Sequence, residues 1–159
     1  MNRPSGADDR VVTVSHEVIV RSYELDSYAH VNNGAYLGWF EDGRERFLRA
    51  AGRDYNYFPS RLGLYFVVAA IHCEFRRAAH SGDTLTVRSR IAATGRSSVV
   101  FRQIVVDRRD DFVLCRARTV MAFTPIGGGK GEIPAEFAAA YGVSSEGDVW
   151  TAAEGGERG

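Results

Sequence analysis

The sequence predicts a single α+β domain in which one long helix is gripped by a five-stranded antiparallel sheet. Three observations predict it. One alternating segment opens the chain, one apolar stripe of helical period follows it, and four segments of period two come in series after that. The 159 residues are enough for one core and too few for two ordinary domains.

The first strand is expected over residues 11–23, with Val12, Val14, Val18 and Val20 on one face and Thr13, Ser15, Glu17 and Arg21 on the other. Asn32 or Asn33 can cap a helix that runs to about Ala51 and stops at Gly52. Tyr36, Leu37, Phe40, Phe47, Leu48 and Ala51 form its apolar stripe, Gly43 permits close backbone contact, and Asp42, Arg46 and Arg49 face water. Residues 64–75, 84–92, 97–106 and 112–123 each suit a strand, separated by turns at Ser81 and Gly82, at Gly95, and at residues 109–111. A glycine-rich turn then leads into residues 133–141, a docked terminal helix. The domain is expected over residues 11–143, with flexible segments at 1–10 and 144–159. A single sheet holding one helix leaves its other face or an edge in need of a partner.

Composition excludes several classes. Hydrophobic residues at 45%, charged residues at 25%, nine Phe and seven Tyr exclude disorder for most of the chain. Lys plus Arg and Asp plus Glu balance at 20 each, so nothing global points to nucleic acid or an anionic membrane. No apolar run is long enough for a membrane helix and residues 1–10 lack the apolar region of a signal peptide, so the protein is expected to be cytoplasmic. Cys73 and Cys115 stand far apart without metal-ligand or redox spacing and are expected to be buried free thiols. His16, His72 and His80 fit core, edge and turn positions rather than catalysis.

Chemistry concentrates where the first strand hands over to the helix, in Asp26, His30, Asn32 and Asn33. A helix start offers unsatisfied N–H groups and a positive partial charge that can stabilise an oxyanion. A nearby carboxylate can act as base or nucleophile. By spacing alone, such residues before a helix more often make Asx turns and caps than perform chemistry.

The stretch Arg21, Tyr23, Asp26, His30, Val31, Asn32, Asn33, Tyr36, Leu37 resembles, without a gap, the junction pattern of the hotdog-fold acyl thioesterases. The resemblance is to the branch of 4-hydroxybenzoyl-CoA thioesterase and the bacterial long-chain acyl-CoA thioesterases. It continues through Glu41 and Arg44, residues 75–78, Gly82 and Asp83, and residues 95–98. It implies a hotdog fold, a long central helix wrapped by the five-stranded sheet, that hydrolyses an acyl-CoA thioester. Asp26 is then the catalytic carboxylate, as nucleophile or as general base, oriented with its water by His30 and Asn32. Backbone N–H groups among Val31, Asn33 and Gly34 would hold the carbonyl oxygen. Some hotdog thioesterases use a Glu in the central helix instead, which keeps Glu41 as a second candidate.

The resemblance further implies no metal and no cofactor beyond coenzyme A as part of the substrate, and a homodimer or homotetramer with sites completed between protomers. Arg76, Arg77 and Arg96, with Ser97 and Ser98, are candidates for binding coenzyme A, guanidinium forks being suited to its phosphates. Tyr36, Phe40, Tyr57, Phe58, Phe66 and Val68 are candidates for the acyl pocket. Arg88, Arg90, Arg116 and Arg118 are expected to cover a polar sheet face or pair with acids. An acyl-carrier-protein thioesterase, a non-catalytic acyl-binding module and an edge-pairing interaction domain are the alternatives.

Overall fold

In a computed structural model that describes residues 10–144, strand β1 (Thr13–Ile19) precedes helix α1 (Asn33–Arg49), and β2 (Leu64–Phe75), β3 (Thr84–Thr94), β4 (Ser98–Asp107) and β5 (Val113–Pro125) follow it. A short helix α2 (Ala135–Ala140) closes the domain. The expected terminal segments, 1–10 and 144–159, lie almost wholly outside the described residues. Among the described residues no helix is long and apolar enough to cross a membrane.

The strands form one antiparallel sheet in the order β1-β3-β4-β5-β2, so β1 and β2 are its edges. The hairpins joining β3 to β4 and β4 to β5 follow the expected turns. The first strand is shorter than its alternation suggested. Val20 leaves the ladder to pair with the β2–β3 turn, its N–H donating to Asp83 O and its carbonyl accepting from Gly82 N–H, and a 3-10 turn over Ser22–Glu24 follows.

Helix α1 starts as expected, with Asn32 Oδ1 accepting the Gly34 N–H at 2.8 Å. It ends in Gly52, whose φ of 74° suits a residue without a Cβ. The buried face is Tyr36, Trp39, Phe40, Gly43, Arg44, Phe47 and Leu48, an i, i+3, i+4 series. Leu37, placed on the stripe by the sequence reading, is exposed, because it stands about 100° round the helix from Tyr36.

Two apolar clusters pack between helix and sheet. Toward the helix start lie Val20, Tyr36, Trp39, Phe40, Leu85, Val87, Val105 and Leu114. Toward its end lie Phe47, Leu48, Phe58, Phe66, Ile91, Phe101, Phe123, Phe137 and Tyr141. A polar seam divides them. Gln103 Nε2 donates to Phe40 O and to Ser89 Oγ, both at 2.8 Å, and Arg44 Nη1 donates to Gln103 Oε1 at 2.9 Å. His16 closes the seam beside Asp42, Nε2 to Oδ2 at 3.2 Å, and burial lowers its pKa against the opposing pull of Asp42.

Candidate active site

Asp26 sits in a tight turn bracketed by the Leu25–Val31 bridge. Its N–H donates to His30 O at 2.8 Å, and its Oδ1 accepts the N–H groups of Tyr28 at 2.9 Å and His30 at 3.3 Å. Ala29 completes the turn at φ 59°, a left-handed conformation that a side chain disfavours. The carboxylate is thus fixed through Oδ1 and exposed to solvent.

The turn is tied to α1 by Glu24. Its Oε1 accepts from Trp39 Nε1–H at 3.0 Å and its Oε2 from the Arg21 N–H at 2.8 Å. Sequence reasoning missed both Glu24 and Trp39. Glu24 falls inside the recognised junction, between Tyr23 and Asp26, and the i+3 spacing of Trp39 from Tyr36 was a usable signal.

Of the N–H groups expected to hold an oxyanion, Val31 donates to Ala79 O at 3.0 Å and Gly34 to Asn32 Oδ1 at 2.8 Å. Both are committed to the fold, which corrects their assignment as donors to a ligand. Asn32 N–H donates to Glu24 O at 2.8 Å and Ala35 N–H to Asn32 O at 3.0 Å. Among the described residues, Asn33 alone in this run has an N–H without a partner. Asn32 serves as the helix cap, and His30 stands edge-on to His80 with ring centroids 5.1 Å apart. His80, set aside in the sequence reading, therefore belongs to the same surface.

The coenzyme A candidates separate into two groups. Arg76 and Arg77 lie at the junction end, where Arg77 donates to Asp107 at 2.8 Å and Asp110 at 2.7 Å. Arg109 also grips Asp107, and these bonds hold that buried carboxyl far below the usual carboxylate range. Arg96, Ser97 and Ser98 lie at the opposite end of β3, an 11-residue strand about 33 Å long. Arg96 pairs there with Glu132 at 2.6 Å. One protomer cannot present both groups to the same bound molecule beside Asp26, and Arg77 and Arg96 are already engaged by carboxylates.

The acyl-pocket candidates also divide. Phe40 and Phe58 are 0% exposed and Tyr36 3%, so all three are core residues of the protomer, a correction to their expected place on a pocket wall. Tyr57 is half-buried at the rim of the second cluster and its hydroxyl donates to Glu136. Phe66 stacks on Phe123, with centroids 4.3 Å apart, yet its edge reaches a groove of about 330 Å³ shared with Val68, Tyr65, Tyr55, Glu41 and Arg44. Glu41, the second catalytic candidate, thus borders an apolar groove on the β2 side. The apolar side chains of that edge strand, Tyr65, Val67, Val68, Ile71 and Phe75, are 38–47% exposed.

Residues 20–141 match the model of the thioesterase-like superfamily. The long-chain acyl-CoA thioesterase FadM of Escherichia coli is 33% identical over 89 residues, 56% of this chain and 66% of that protein. A chloroplastic acyl-acyl carrier protein thioesterase of Arabidopsis thaliana is 30% identical over 89 residues, 56% of this chain and 46% of that protein. The chain thus spans between about half and two thirds of the length of these relatives. A probable thioesterase from Bartonella henselae superposes with a TM-score of 0.70 at 25% identity, covering 77% of this chain and 99% of that one. The five-stranded sheet around one long helix is the hotdog fold of these proteins.

Proposed function

We propose that this chain, which belongs to the thioesterase-like superfamily, hydrolyses an acyl-CoA thioester to free acid and coenzyme A with Asp26 as the catalytic carboxylate. The observation that carries the reading is the junction itself. A carboxylate fixed through one oxygen and a helix-start N–H without a protein partner, Asn33, share one turn of chain.

As general base, Asp26 takes a proton from water while the hydroxide oxygen attacks the thioester carbon. The oxyanion is met by the Asn33 N–H at the positive end of α1. Collapse expels the thiolate, which recovers the proton from Asp26. As nucleophile, Asp26 would instead attack the thioester carbon and expel the thiolate, leaving a mixed anhydride that water cleaves to the free acid and the Asp26 carboxylate. His30 borders the carboxylate and positions it or its water.

The site is completed by a second copy. Antiparallel pairing of two β2 edges would cover Tyr65, Val67, Val68 and Ile71 and run the two sheets in opposite directions. The junction end of one protomer then meets the Arg96 hairpin end of the other, reuniting the two separated groups of candidate residues. The likeness to the Arabidopsis protein favours a second reading, the same hydrolysis on an acyl chain borne by acyl carrier protein.

The test is free-thiol release from short, long and aromatic acyl-CoAs and from acyl carrier protein, comparing wild type with Asp26→Asn and Glu41→Gln. Loss of about 100-fold or more in kcat for Asp26→Asn alone, with melting and oligomeric state unchanged, supports the reading. Loss in Glu41→Gln alone would move the chemistry to the groove, and an absence of turnover on every thioester would replace hydrolysis with binding.

A further inference from the structure

The face of the sheet turned away from α1 carries a row of basic residues placed directly opposite one another across four strands. Arg90 of β3 pairs in register with Arg102 of β4, Arg102 with Arg118 of β5, and Arg118 with His72 of β2. Like charges in directly opposed positions destabilise a sheet, so such a row calls for compensation. Two of its members find it within the chain. Arg90 is buried and donates to Ser144 O at 3.4 Å, and His72 lies 3.5 Å from Glu74, which also pairs with Arg116.

Arg102 and Arg118 are different. Both are exposed in the middle of the sheet, and among the described residues neither side chain makes a hydrogen bond or ion pair. They border a concavity of about 250 Å³ whose other walls include His72, Glu74, Ile104 and Arg116. That space holds several times the ~30 Å³ share of one water molecule. Two guanidinium forks on adjacent strands present paired donors from two directions. A carboxylate has two oxygens and satisfies one fork, whereas a phosphoryl group has three acceptor oxygens and up to two charges and can take both.

We propose that Arg102 and Arg118 form a phosphoryl-binding site on the outer face of the sheet, separate from the Asp26 junction. The bound group is either free phosphate or the phosphate of a nucleotide. Its dianionic charge relieves the opposed arginines, and Glu74 pairs with Arg116, which leaves the central pair to meet the ligand. This inference does not depend on thioester hydrolysis, since its readout is binding.

The experiment titrates the full chain with inorganic phosphate and with adenosine 3′,5′-bisphosphate by calorimetry, and follows melting in the same solutions against chloride at matched ionic strength. Binding that weakens at least tenfold in R102Q/R118Q supports the site. Equal affinity for both ligands assigns free phosphate, and bisphosphate at least tenfold tighter than phosphate assigns a nucleotide. A response identical in wild type and variant, or no response to either ligand in wild type, overturns the proposal. Without added anions the double variant should melt no lower than wild type, because an opposed like-charge pair has been removed. A clearly lower melting temperature would show that the pair is a structural element and overturn its assignment as a ligand site.

Discussion

Gly43 on α1 and Ser89 on β3 touch so closely that a methyl group at position 43 would lie 2.6 Å from the Ser89 hydroxyl. It would also meet Gln103 Nε2 at 2.9 Å. Neither neighbour can withdraw freely, because Gln103 Nε2 bridges Ser89 Oγ and Phe40 O inside the core. Helix propensity alone would make Gly43→Ala stabilising by about 1 kcal/mol. Overpacking and a broken seam reverse the sign, and a net loss of about 1–3 kcal/mol is expected in urea unfolding. A raised midpoint would show that the contact is loose.

Glu24 acts on the site through its hold on the junction, so Glu24→Ala frees both Trp39 Nε1 and the Arg21 N–H. The expected result is a drop of about tenfold in kcat with KM little changed, because orientation of Asp26 is lost rather than binding surface. Glu24→Gln keeps one acceptor oxygen and turns an NH2 group toward the other donor, so a partial recovery of the rate would identify the hydrogen bonds as the cause. Equal rates in all three proteins would remove Glu24 from the site.

Asp107 is a stability residue. The Arg109 side chain, with Arg77 adding to it, holds its pKa below the ordinary 3.8, so the stability it lends is complete above that value and disappears as pH falls through the lower folded value. Asp107→Asn should cost about 1–2 kcal/mol near neutrality, since the arginines it releases are partly solvated and Arg77 keeps Asp110. The gap between wild type and variant should begin to narrow as pH falls below the ordinary 3.8 and go on narrowing with further acid. A gap that stays constant in acid unfolding curves would contradict the pairing.

His16 follows the same linkage from a different cause. Burial lowers its folded pKa below the ordinary 6.5, so the unfolded chain binds the extra proton first and stability falls as pH drops below that point. His16→Gln should flatten the stability profile between roughly pH 7 and pH 5. An unchanged slope would assign the acid sensitivity elsewhere.

Ile71 lies on the open edge strand at 38% exposure. If two β2 edges pair as proposed, Ile71→Arg should leave monomers in light scattering and lower activity with them. A monomer that remains fully active would separate catalysis from pairing.

The order of elements was legible because each rests on local signals, namely the alternation of β1, the Asn32 cap, and the turns at Gly82 and Gly95. What lay beyond reach was pairing across distance. Arg77 and Arg96 read as free forks because Asp107, Asp110 and Glu132 stand about 30 or more positions away along the chain. Phe58 read as a pocket wall because a row of aromatics in a loop does not reveal that Phe66, Phe123 and Phe137 close around it. Arg44 fell on a helix face that periodicity calls apolar, and only Gln103 on a distant strand explains its burial. At the junction the spacing located Asp26 and the helix start, while the choice of Asn33 among the N–H groups depended on where Glu24 and Ala79 send their carbonyls.

The polar seam across the core gives the molecule a built-in optical gauge. Trp39, the sole indole among the described residues, lies in the cluster on the junction side, while the phenyl rings of Phe47, Phe58, Phe66, Phe101, Phe123 and Phe137 lie on the other. Its emission colour therefore reads the polarity of one half of the interior and is blind to loosening of the other. A ligand bound beside Asp26, as proposed, is expected to shift the emission of Trp39, read in a Trp150→Phe variant so that one indole reports.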